Sequence, residues 1–286
     1  MNNTQVKHIQ IDINGLSIFY REAGDPNNET ILMLHGFPSS SHMYRDMITG
    51  LKDDYHIIAP DYPGFGFSDT PNPDDFEYTF ENVSNVLEAF VKELQLKSFY
   101  LMMQDYGGPI GMRIAKKNPE LIKGFIIQNA NAYMQGIGEW PQKLKKLGEE
   151  ENFEELTKFT EWLMSKDGLK EMYLGGAEDA SKIDPISYLT DNAFLQREGV
   201  LDIQKTLFAD YGSNFPKYPE WQEYLRTHQP KTLVLWGDHD KFFGPDGADA
   251  YSEDLEKVEI HHFNSGHFML EEHPQKAIEL IKSFIK

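Results

Sequence analysis

The stretch Leu101-Met102-Met103-Gln104-Asp105-Tyr106-Gly107-Gly108 decides the reading of the fold. An apolar run suited to a buried strand ends on an acidic residue, and two glycines then allow an abrupt start to a helix. Strand, sharp turn and helix, with a reactive side chain at the turn, is the setting of a nucleophile elbow. Here aspartate stands in the position best known for serine. Taken alone the segment reads more readily as a helix start, because an aspartate beside glycines is a common N-cap.

The flanking sequence changes those odds. Upstream, Lys7–Ile13 and Leu16–Glu22 alternate around Asn14-Gly15, the strongest short hairpin signal. Strands are expected at Thr30–Leu34, Tyr55–Pro60, Ser98–Met103 and Ile122–Gln128, with helices across residues 43–51, Phe80–Leu94 and Gly107–Lys117. Alternation of this kind predicts a mostly parallel sheet covered by helices on both faces. From residue 131 to 215 strand-like runs vanish and helical segments take over. The α/β rhythm returns at Lys231–Trp236 and Val258–Phe263 and closes on an amphipathic helix led by Pro274. The expected organisation is one α/β core, residues 1–130 and 216–286, interrupted by a helical cap over residues 131–215. A helical insertion over the carboxyl edge of a parallel sheet is suited to act as a lid, because ligands bind at that edge.

Two loops beyond later strands supply partners for Asp105. Trp236-Gly237-Asp238-His239-Asp240 offers a carboxylate after the penultimate strand, and Asn264-Ser265-Gly266-His267-Phe268 offers a histidine after the last. Nucleophile, acid and histidine thus fall in the chain order of a triad on this type of sheet. Each of the three alone has a structural explanation; their agreement in order and placement is what carries weight.

Composition narrows the alternatives. The 286 residues are 40% hydrophobic and 13% aromatic, enough for a large packed core. A formal net charge of −19 opposes binding to nucleic acid or to an anionic membrane surface. With no cysteine there is no disulfide, thiolate metal site or cysteine nucleophile. Residues 1–10 are polar and carry no secretory signal pattern, and no apolar run reaches the ~20 residues that span a bilayer. A cytoplasmic protein is expected, with no cofactor and no metal. His261 and His262 point to opposite faces of a strand, so they do not readily join His267 around one ion.

The chain resembles α/β-hydrolase-fold enzymes of the epoxide hydrolase and haloalkane dehalogenase branch. The resemblance is carried by His35-Gly36-Phe37-Pro38, Asp61-Tyr62-Pro63-Gly64-Phe65-Gly66-Phe67-Ser68-Asp69, Gln104 to Gly111, Trp236 to Asp240 and Ser265 to Phe268. It implies Asp105 as nucleophile, His267 as base, and Asp240 rather than Asp238 as the acid. It also implies that the backbone N–H groups of Phe37 and Tyr106 form the oxyanion hole, while His35 supports that loop. Oligomeric state is left open.

An aspartate nucleophile selects the chemistry. Attack on an acyl carbon would give an anhydride, whereas attack on an sp3 carbon bearing a leaving group gives an ordinary alkyl ester. The expected substrate is a small, apolar to moderately polar organic molecule, with water as the second reactant. An epoxide needs a proton for its departing oxygen; a halide needs N–H donors, typically tryptophan. Relatives of both kinds mostly have tryptophan where this chain has Tyr106, a departure that counts more against a dehalogenase. Tyr211, in Asp210-Tyr211-Gly212-Ser213-Asn214, resembles the setting of an epoxide-opening tyrosine, and Tyr133 is a less secure partner for it. Trp140 and Trp162 are the alternative lid donors, for a halide. Epoxide hydrolysis is the leading expectation, haloalkane dehalogenation the alternative, and a non-catalytic ligand-binding protein the rival outside enzymology.

Overall fold

The computed structural model describes residues 5–286; residues 1–4, the start of the polar stretch examined for a secretory signal, lie outside the described residues. Eight strands form one sheet: β1 (Lys7–Ile13), β2 (Leu16–Ala23), β3 (Thr30–Leu34), β4 (His56–Pro60), β5 (Phe99–Gln104), β6 (Ile122–Gln128), β7 (Lys231–Gly237) and β8 (Val258–Phe263). Their spatial order is β1-β2-β4-β3-β5-β6-β7-β8. The first hairpin is antiparallel, β2 is antiparallel to β4, and every later pair is parallel. Asn14 and Gly15 both take positive φ, 55° and 86°, as a two-residue turn matched to the twist of its strands requires.

The central strands are apolar because both faces are covered. Every residue of β4 and β5 is buried. Helix α1 (Arg45–Leu51) packs against the C-terminal helix Pro274–Ile285. Helix α2 (Phe80–Glu93) packs against α3 (Gly107–Lys117). Thr79 caps α2 by accepting from the N–H of Asn82, and Phe80, Val83, Leu87, Phe90 and Val91 turn one face of it into the core.

Because β3 and β5 to β8 run the same way, their carboxyl ends share one edge of the sheet. The residues just beyond that edge are His35, Asp105, Asn129, Asp240 and His267. Among the described residues no strand lies between β6 and β7. That interval holds α4 (Glu139–Glu149), α5 (Phe153–Leu163), α6 (Lys166–Leu174), α7 (Pro185–Leu195) and α8 (Val200–Asp210). A tight turn of helix (Tyr211–Lys217) and α9 (Tyr218–His228) then lead back to β7.

Polar contacts tie this helical insertion to the edge loops. Gln204 donates to the carbonyl of Gly64 (3.0 Å), Glu272 accepts from the N–H of Asp179 (2.8 Å), and Lys241 pairs with Glu171 (3.1 Å). No described helix is long and apolar enough to cross a membrane.

Candidate active site

Asp105 sits at the turn from β5 into α3 with φ of +48°, in the left-handed region that most residues avoid and Asp and Asn tolerate best. The turn is held from both sides: Asp105 donates its N–H to the carbonyl of Asn129 (3.2 Å), and its own carbonyl accepts from Gly108 (2.9 Å). Gly107 must lack a side chain, since a Cβ there would strike the carbonyl of Leu34. The sharp bend leaves the carboxylate at the end of the sheet rather than along it.

The loop after β3 meets that carboxylate. Phe37 donates its N–H to Asp105 Oδ1 at 2.7 Å, and the nearby N–H of Tyr106 also favours the ionised side chain. One of the two expected oxyanion donors, the Phe37 N–H, therefore binds the Asp105 carboxylate itself. Gly36 permits this approach, because a Cβ on it would collide with Gln104 and Asp105. His35 supports the loop through Nδ1, 3.1 Å from the carbonyl of Gly36, and stacks on Tyr62 at 3.9 Å. Burial pushes the His35 pKa down to about 3, so the ring is neutral.

Beyond β8, His267 is buried with Nδ1 2.7 Å from Asp240 Oδ2. A carboxylate only accepts, so Nδ1 carries the proton of the neutral ring and Nε2 has the lone pair. Nε2 lies 3.9 Å from Asp105 Oδ2, too far for a direct hydrogen bond. The other oxygen of Asp240 accepts from the N–H of Phe242 at 2.7 Å.

Three polar residues of this constellation were missed in the sequence. Asn129, just past β6, donates to Asp240 Oδ2 (2.9 Å) and to the carbonyl of Gly237, and accepts from the N–H of Gly237. Gln128 bonds Asn129 and the carbonyl of His267 (2.9 and 3.0 Å). Gln104 places its Nε2 2.8 Å from His267 Nε2. A signal was present: Gln104, Gln128 and Asn129 close apolar strands with polar side chains at the sheet's functional edge, where burial demands partners.

Burial is the largest influence on Asp105 and pushes its carboxyl up to about 6. His267 and the N–H groups of Phe37 and Tyr106 oppose the rise, and Asp240 adds to it. The carboxyl is thus mostly ionised at neutral pH and titrates just below it. For His267 burial disfavours the charged ring, yet Asp240 and then Asp105 outweigh it and raise the pKa above the ordinary value.

Asp105 opens on a cavity of about 420 Å³ beneath the helical insertion. Aromatic rings dominate its wall (Phe37, Tyr106, Phe208, Phe215, Phe242, Phe243), with Tyr211 beside them. Lys145 and Lys205 also contribute to its lining. Among the described residues no tryptophan lines it. Tyr211 stacks on Tyr106 with ring centres 5.9 Å apart. Its hydroxyl is buried beside that of Tyr218 and makes no well-formed hydrogen bond among the described residues. Burial raises the pKa of Tyr211 well above 10, so it stays protonated.

Tyr133 is placed elsewhere, which corrects its reading as a second lid acid. Its hydroxyl donates to Asp254 at 2.8 Å and its ring packs on Tyr251, outside the cavity. Trp140 packs edge-on against Phe159, Trp162 and Phe242, and neither Trp140 nor Trp162 reaches the cavity wall. His261 and His262 bond Glu259, Asp238 and Asp249, and no metal-binding cluster occurs among the described residues.

Comparison with known proteins agrees with this architecture. The family model for the alpha/beta hydrolase fold matches residues 29–274. An uncharacterised hydrolase of Saccharomyces cerevisiae, YNR064C, is 36% identical, covering 99% of this chain and 98% of its own length. A cis-3-alkyl-4-alkyloxetan-2-one decarboxylase of Shewanella oneidensis is 28% identical over 95% of this chain and 86% of its own. A haloalkane dehalogenase of Psychrobacter cryohalolentis is 26% identical over 94% and 88%. The chain belongs to the alpha/beta hydrolase fold family, and it is a hydrolase.

Proposed function

We propose that the protein hydrolyses an epoxide to a diol through a covalent ester on Asp105, with the helical insertion as its lid. The observation that carries the reading is the division of labour between the two oxygens of Asp105. Oδ1 is held by the Phe37 N–H, whereas Oδ2 lies toward His267 without touching it.

In the first step Oδ2 attacks an sp3 ring carbon, the carbon–oxygen bond breaks, and the departing oxygen takes the proton of the Tyr211 hydroxyl. In the second, His267 Nε2 takes a proton from water while the water oxygen bonds Cγ of the esterified Asp105. The electron pair moves onto Oδ1, which the Phe37 N–H already holds, with the Tyr106 N–H as the second expected donor. Collapse releases the alkoxide, which takes the proton from His267, and the acidic proton of the regenerated Asp105 returns to Tyr211. Asp240, fixed by Asn129 and Phe242, orients the ring and stabilises the imidazolium.

The cavity favours an oxygen leaving group over a halide. Tyr106 and Tyr211 belong to its largely aromatic wall, and no tryptophan does among the described residues. The Shewanella relative, named for an oxetanone substrate, also handles a strained oxygen ring.

The test is the intact mass of His267→Ala after exposure to small epoxides and haloalkanes in turn. Without its base the enzyme is expected to stall with a gain equal to the whole epoxide. A gain of the alkyl group alone, with halide lost, would identify a dehalogenase instead. No adduct from either set would overturn the aspartyl ester.

A further inference from the structure

Gln104 ends β5, is fully buried, and lies against the base rather than against substrate. Its Nε2 sits 2.8 Å from His267 Nε2. Because Nδ1 holds the ring proton against Asp240, Nε2 of the neutral ring can only accept, and the Gln104 amide donates to it. The lone pair that must take a proton from water is therefore occupied by an amide. On the far side, Gln104 Oε1 is buried with no partner among the described residues. The backbone of Gly36 closes over that oxygen, leaving no space for even a Cβ.

A buried amide with one half bonded and the other unmatched is costly unless a second state uses it. That second state exists in the chemistry. Once His267 is an imidazolium, Nε2–H needs an acceptor, and rotating the amide by half a turn presents Oε1 to it. The two faces of Gln104 thus match the two protonation states of the base.

We propose that Gln104 is a positioning residue: its amide caps the lone pair of neutral His267 while Asp105 is being alkylated, then releases Nε2 to the hydrolytic water and turns Oε1 to the imidazolium. The inference rests on the two-step reading above. Capping matters because Asp105 and Asp240 both draw a proton onto the ring, and a ring already charged when the ester forms has no lone pair for the hydrolytic water. The remaining charged groups near the ring are Glu171 and Lys241, which line a small cavity on its far side and pair with each other. Its other neighbours are the rings of Phe242, Phe243 and Phe268.

The test uses the full chain and two variants, Gln104→Met and the isosteric Gln104→Glu. The His267 ring titration is followed by NMR without substrate. Rapid-quench measurements with styrene oxide then separate alkylation from ester hydrolysis. Gln104→Met removes both faces, a donor to the neutral ring and a charge-assisted acceptor for the imidazolium; the stronger acceptor sets the sign, so the titration is expected to move down by about half to one pH unit. Gln104→Glu, which only accepts, is expected to move it up. Ester hydrolysis at pH 7 should slow by about tenfold in Gln104→Met, with alkylation changed less than about threefold. A titration unmoved or raised in Gln104→Met, or a parallel fall of both steps, would overturn the assignment. The titration needs no ester, so an absent burst in wild type would count against the two-step reading while leaving the role of Gln104 to be decided by NMR.

Discussion

The backbone N–H of Phe37 holds one oxygen of Asp105 at 2.7 Å, while the other lies 3.9 Å from Nε2 of His267. In a serine triad the base touches the nucleophile because it must remove its proton. A carboxylate has none to remove, and the gap leaves the base to act on water in a later step. In the proposed mechanism the Phe37 N–H then serves the oxyanion, which forms on the oxygen it already binds.

Alkylation should follow the ionisation of Asp105. With its carboxyl raised to about 6, the burst rate is expected to rise with pH through that value and to level off above pH 7. Tyr211 stays protonated past pH 10, so no alkaline limb should come from it. Rapid-quench burst rates between pH 5 and 9 check this; a flat profile would refute it.

Burial of Asp105 should also cost stability. The folded-state value of about 6 exceeds the ordinary 3.8, so the folded protein binds more protons between those values and stability falls as pH rises through them. The cost is fully present above pH 6 and amounts to roughly 2–3 kcal/mol. Asp105→Asn, which tolerates the positive φ, should therefore be the more stable protein at pH 8 and lose that advantage near pH 4. Urea unfolding at the two pH values measures the difference.

The two lid tyrosines should separate cleanly. Tyr211→Phe is expected to slow epoxide alkylation by about 10²–10⁴-fold, as loss of a general acid does. Tyr133→Phe should leave both steps intact and destabilise the fold by about 1 kcal/mol through its lost bond to Asp254. Equal kinetic losses in the two variants would contradict the placement of Tyr133.

Asn129→Ala should act through Asp240. Removing one donor from a buried carboxylate leaves it under-bonded, at a cost of about 1–3 kcal/mol. Ester hydrolysis should slow by about 10–100-fold while alkylation persists, which single-turnover traces would resolve.

Much of this was legible in the chain because the decisive signals are local. The run into Asp105, the hairpin dipeptide Asn14-Gly15 and the apolar core strands each specify their own backbone, and strand order then brings distant loops to one edge. What escaped depends on which way a buried amide or hydroxyl turns. Gln104, Gln128 and Asn129 read as ordinary polar strand ends until the fold sets them against His267 and Asp240. Tyr133 and Tyr211 look alike in sequence, and only packing sends one to Asp254 and the other to the cavity. The raised titration of Asp105 has the same origin, since it comes from burial that only the packed fold creates.

The central claim is that Asp105 is esterified, and a single turnover in H₂¹⁸O tests it most directly. With enzyme in excess over styrene oxide, the account predicts an unlabelled diol and ¹⁸O in the peptide that carries Asp105. Label in the diol from that first turnover, with the Asp105 peptide unlabelled, would mean direct attack by water and would contradict it.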